Sequence, residues 1–103
     1  MTDRYEGKPF LRLLDCYIMD AIGHLDPAQD AQLTALEPKF REVFGAVGDW
    51  RQIVEHRMDF AEGMQDAVRQ VWEAGTARFI AEQGHDPDPA EFTRIFVDSK
   101  FPH

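Results

Sequence analysis

The side chains able to carry chemistry are few: four histidines, one cysteine and one serine stand among 19 carboxylates in 103 residues. Glu55, His56, Asp59 and Glu62 form the densest polar group. His56, Asp59 and Glu62 advance by three residues each, which drifts them backwards by roughly 60° per step around a helix. A divalent cation could sit among such groups, or His56 could act as a base oriented by Asp59. The paired-glutamate and Glu-x-x-His pattern of carboxylate-bridged metal bundles is missing, however. The preferred reading is a solvated face opposite Trp50, Ile53 and Val54. Asp20 and His24, four residues apart, also share a helical face and could supply two metal ligands. One such pair leaves the remaining ligands unassigned. A histidine in the last turn of a helix, where an imidazolium suits the dipole and caps free carbonyls, is the simpler expectation.

The other candidates are weaker. Asp86, Asp88 and Glu91 lie near His85 but lack the loop length, central glycine and terminal glutamate of an EF-hand, and capping explains them. Cys16 has Arg12 as its one cationic neighbour within a helical turn, so a packed, inert thiol is expected. Ser99, beside Asp98, has no glycine-rich elbow around it. No phosphate-binding glycine loop occurs. A non-enzymatic protein without a cofactor is therefore expected.

These groups must be positioned by helices, because apolar spacing favours them almost throughout. The first is predicted over about Pro9 to His24. Phe10, Leu14, Tyr17, Ile18, Ala21 and Leu25 form one stripe, and Leu11, Leu13 and Ile22 widen it, so this helix should be central and packed on several sides. The second opens at Asp26-Pro27 and should kink or break at Pro38, near Glu37, since proline cannot donate to the carbonyl of Thr34. Asp49-Trp50-Arg51-Gln52 starts a third helix, and Phe60 to Gly63 reads as a turn. A fourth spans about Met64 to Gln83, with Met64, Val68, Val71, Trp72, Gly75 and Phe79 in register. Gly75 on that face is destabilising relative to alanine, and a close helix–helix approach could compensate. Gly84 should end the helix in a left-handed conformation. Asp88-Pro89-Ala90-Glu91 is the strongest helix start, leading Phe92, Ile95 and Phe96 to the core, with Val97 and Phe101 tethering the tail. The expected fold is all-α: one domain over residues 1–103, an irregular antiparallel bundle of about five helices.

Composition narrows the function classes. The formal charge of −8 repels phosphate backbones and anionic lipid, so neither nucleic acid nor a membrane is an expected partner. Residues 1–8 carry no apolar run, so no secretory leader is expected. The apolar-rich segment from Phe10 to Leu25 is interrupted by Arg12, Asp15, Asp20 and His24, which argues against a bilayer span. A single cysteine forms no internal disulfide and no cysteine-based zinc cluster, and the expected address is a reducing cytoplasm. Eight Phe, two Trp and two Tyr exceed what a minimal bundle requires. The surplus points to a soluble interaction module that binds a protein partner or a second copy of itself. Trp50, Trp72, Phe92 and Phe96 are the candidate contacts, although a place in the core is the simpler expectation for each of them. The alternative is a small-ligand or metal-binding helical protein using Glu55, His56 and Asp59 or the Asp20–His24 pair.

Overall fold

The computed structural model describes residues 9–60 and 63–101, and every regular element among them is a helix. The order is α1 (Pro9–Ala21), α2 (Pro27–Ala35), α3 (Glu37–Phe44), α4 (Trp50–Met58), α5 (Met64–Gln83) and α6 (Pro89–Lys100). Helix α1 is the centre. Leu11, Leu13, Leu14, Cys16, Tyr17, Ile18 and Ala21 are all buried, and α1 packs on α2, α4, α5 and α6. Each large aliphatic side chain enclosed there contributes roughly 1.5–3 kcal/mol by leaving water. The central rod is thus where the apolar breadth of its sequence puts it.

Helix α1 ends at Ala21, three residues before the expected His24. Gly23 turns left-handed at φ +78°, and two backbone bonds close the end: Gly23 N–H to the Asp20 carbonyl at 3.0 Å and His24 N–H to that of Met19 at 3.0 Å. This six-residue wrap satisfies the terminal carbonyls with main-chain donors.

The proline break accounts for six helices where about five were expected. Pro38 cannot donate, so the ladder of α2 stops at Ala35 and restarts through Leu36, whose backbone sits at φ −92°, ψ 0°. The bend brings Glu37 to the start of α4, where Glu37 Oε2 accepts the Trp50 N–H at 3.0 Å. Asp49 completes that helix start: its carboxylate accepts the Gln52 N–H at 2.8 Å, and Gln52 Oε1 accepts the Asp49 N–H at 3.0 Å. Three donors that the start of a helix leaves without partners are thereby satisfied.

Helix α5 has the bounds its pattern predicts, with Gly84 left-handed at φ +77° beyond it. Its packing differs from expectation. Of its 20 residues Val68 alone is buried. At 1.5 Å per residue, α5 is ~30 Å long against ~20 Å for α1 beneath it, so its C-terminal half overhangs the bundle. Gly75 lies on the overhang, and a Cβ built there would meet no atom within 4 Å. The close helix approach that could compensate for Gly75 is therefore absent; the space beside it is open. Helix α6 starts as its sequence requires, with Asp88 Oδ1 accepting the Ala90 N–H at 3.0 Å. Val97 is buried and the Phe101 ring packs 5.2 Å from that of Phe60, so the tail is tethered. The turn expected over Phe60 to Gly63 includes Ala61 and Glu62, which lie outside the described residues.

Candidate functional site

Asp20 and His24 do not converge. Arg51 takes both Asp20 oxygens, Nε at 2.8 Å and Nη2 at 3.3 Å, and Gln65 Nε2 donates to the same carboxylate at 3.0 Å. His24 has left the helix, and its ring packs edge-on against Trp72 at 5.4 Å. Its backbone N–H, rather than its imidazole, caps the end of α1, which corrects the expected role.

The members of the group around His56 also carry structural duties. Glu55 Oε2 accepts the hydroxyl of the buried Tyr17 at 3.1 Å. Asp59 is the left-handed residue that ends α4, at φ 55°, with its N–H on the Glu55 and His56 carbonyls. His56 is exposed and lines one wide, open depression together with Glu55, Asp59, Gln52 and Phe60, while Glu62 falls outside the described residues. Among the described residues no three His, Cys, Asp or Glu side chains gather where they could hold a metal ion. Cys16 is enclosed, and burial pushes its thiol up to about 11; Arg12 opposes the shift, and Asp15 and Asp30 add to it. A thiol that high is almost wholly protonated near neutral pH and is a poor nucleophile.

The aromatic candidates separate into three roles. Trp50 is fully buried, so it belongs to the core. Its indole Nε1–H donates to Asp30 Oδ1 at 3.1 Å, and the Arg51 guanidinium lies 4.5 Å from the ring centroid. Phe96 sits inside a run of rings. Trp72 meets Phe92 at 4.9 Å, Phe92 stacks on Phe96 at 5.6 Å, and Phe96 meets Phe101 at 6.0 Å. Phe60 extends the run to Tyr17 at 5.5 Å. Contacts of this geometry add to area burial and knit α5, α6 and the tail onto α1. Half of the twelve Phe, Trp and Tyr residues stand in this run.

Trp72 and Phe92 have a second role at its open end. Helices α5 and α6 both rest on α1 but scarcely pack on each other beyond it. A groove of about 220 Å³ opens between them. Trp72, Gly75 and Phe79 form one wall, Phe92 and Ile95 the other, and Asp88 and Glu91 stand at its edge. Ile95 is 51% exposed there. Thr76 and Thr93, on the two helices, bury hydroxyl oxygens that find no hydrogen-bond partner among the described residues. A second depression, at the α3–α4 corner, includes His56 and Arg57, and its apolar tip Val47 is 81% exposed.

No family model, curated protein or solved structure compared with the chain matches it. No helix among the described residues is long and apolar enough to cross a membrane. Phe79, Ile95 and Gly75 are groove residues that sequence reasoning assigned to the core. The usable signal was the length of α5: its apolar register continues through Phe79, well past what a 13-residue α1 can cover.

Proposed function

We propose that the chain is a non-enzymatic binding module whose α5–α6 groove receives an apolar segment of a protein partner in the cytoplasm. The observation that supports this reading is the overhang of α5, which carries Gly75 and Phe79 past the Trp72–Phe92 contact and leaves the groove between them and Ile95 unfilled among the described residues. Water against such a wall is released when a partner side chain enters, the usual source of affinity at an interface hot spot. The groove volume of about 220 Å³ fits one or two large side chains. It falls below the roughly 300–1,000 Å³ of small-molecule pockets, which favours a protein segment in this groove; the wide depression beside His56, at about 370 Å³, is where a small ligand would have room. The structural duties of Asp20, Glu55 and Asp59 add weight to a binding role over a hydrolytic or metal-centred one.

The test compares two surface variants. Ile95→Asp places a charge in the groove, and Val47→Asp places one at the distant α3–α4 corner; both positions are half exposed or more, so both proteins should keep their helical circular dichroism. Wild type and Val47→Asp should retain the same protein from an extract of the source cells, and Ile95→Asp should lose it. Equal retention by all three would refute the groove as the contact surface.

A further inference from the structure

The charge at the edge of the groove says what kind of segment it takes. Asp88 and Glu91 are the ionisable residues lining it, and both are acidic. Asp86 precedes them in the connector between α5 and α6. The N-terminus of α6 lies at the same end and contributes roughly half a positive charge, which two full carboxylate charges outweigh. The opening is therefore apolar within, with the His85 ring against Phe79 at 5.2 Å and two carboxylates at its margin, so its balance of charge is negative whether that imidazole is neutral or protonated. A segment entering it meets favourable potential only if its own flanks are positive. A second copy of this chain meets the reverse: it carries −8 overall and the same acidic margin. The groove lies between two helices that make few contacts with each other, and an apolar trough of this kind is a usual seat for an amphipathic helix.

Resting on the reading of the groove as a docking surface, we infer that its occupant is a cationic amphipathic helix of another protein. Large apolar anchors would sit between Phe79 and Ile95, with Lys or Arg flanking them towards Asp88 and Glu91. Because the interaction is partly electrostatic and its charges are exposed, affinity should fall as salt rises.

The experiment uses two fluorescently labelled synthetic helices of about 18 residues, or five turns. They share one leucine face and differ in carrying lysine or glutamate on the other. Anisotropy titrations with the full chain should show the lysine peptide binding about tenfold or more tightly at low ionic strength, with the ratio shrinking in high salt. Glu91→Lys should remove most of that preference. Glu42→Lys makes the same change of charge on exposed α3 and should leave most of it in place. Equal binding of the two peptides would overturn the cationic assignment, as would Glu42→Lys acting as strongly as Glu91→Lys. If Ile95→Asp still abolished that binding, the groove itself would survive as a docking surface. Self-association in sedimentation that Ile95→Asp abolishes would replace the foreign helix with a second copy. Peptide binding indifferent to Ile95→Asp would remove both the inference and the docking surface beneath it.

Discussion

Arg51 clasps Asp20 with two nitrogens, at 2.8 and 3.3 Å, and the same guanidinium reaches Asp30 Oδ2 at 3.0 Å. One side chain of α4 thus ties down α1 and α2 while covering the indole of Trp50. The three side chains are about a third exposed, so the triad is worth less than a fully buried pair. Arg51→Met keeps the aliphatic stem over Trp50 and should destabilise the fold by about 1–2 kcal/mol, read from the urea midpoint. Arg51→Lys should recover less than half, because a point ammonium cannot fork across both carboxylates. An unchanged midpoint in Arg51→Met would show that the triad adds nothing.

The same triad gives the protein an acid-labile component. The Arg51 hydrogen bond, followed by that of the Trp50 indole, holds the Asp30 carboxyl below its ordinary value of 3.8. The unfolded chain then takes up a proton before the folded one does. The stability from Asp30 is complete above about pH 4 and is lost as pH falls through its folded value. Asp30→Asn should be less stable at neutral pH and should lose less on acidification. Parallel acid limbs for wild type and Asp30→Asn would exclude this coupling.

At the alkaline end the sign reverses. Cys16 titrates at about 11 in the fold against an ordinary 9.0, so the unfolded chain releases its proton first. Stability from the neutral thiol is intact below pH 9 and declines between pH 9 and about 11. Burial, and then Glu55, raise the Tyr17 hydroxyl in the same direction, which extends the decline above pH 10. Cys16→Ala should show a shallower loss between pH 9 and 10, with the Tyr17 part remaining. In native protein at pH 8, thiol reagents should label Cys16 at a rate set by opening of the fold rather than by reagent concentration. Rapid labelling proportional to reagent would contradict the enclosed site.

The elements that sequence reasoning placed well are those governed by local chemistry. Asp49 with Gln52, Pro38, Gly84 and Asp88-Pro89 act within a turn of where they stand, so their effects could be read directly. The end of α1 was misplaced because His24 has a suitable side chain for a last turn. The deciding feature was Gly23, whose left-handed backbone outranked it. The roles of Asp20 and Glu55 were hidden for a different reason: their partners, Arg51 and Tyr17, are more than 30 residues away. The groove was the least legible feature. An apolar stripe has the same pattern whether another helix covers it or not, and only the unequal lengths of α5 and α1 carry Phe79 past α1, where the His85 ring packs against it at 5.2 Å.

Asp59 offers a direct separation of structural and chemical roles. It adopts φ 55° at the end of α4, a conformation that strains side chains bearing a Cβ by roughly 1–2 kcal/mol and glycine hardly at all. Asp59→Gly should stabilise the protein by about 0.5–1 kcal/mol once the greater flexibility of unfolded glycine is deducted. A loss of stability in calorimetry would mean that the carboxylate does more than end the helix.

Gly75 allows stability and binding to be moved in opposite directions. It sits within α5 at an ordinary helical conformation, where glycine is about 1 kcal/mol less favourable than alanine. Nothing lies within 4 Å of the position a methyl would take, so Gly75→Ala introduces no clash and should raise stability by about 0.5–1 kcal/mol. For a domain of this size that is a rise in Tm of roughly 2–8 °C. The added methyl belongs to a residue lining the groove, so it should also narrow the space between Trp72 and Ile95 and weaken capture of a partner side chain. A core glycine kept for packing would behave otherwise, with stability falling on substitution. A surface glycine remote from any site would gain stability and leave binding untouched. Higher Tm together with reduced affinity for the lysine-faced helix is therefore an outcome that the open groove predicts and neither of those alternatives shares.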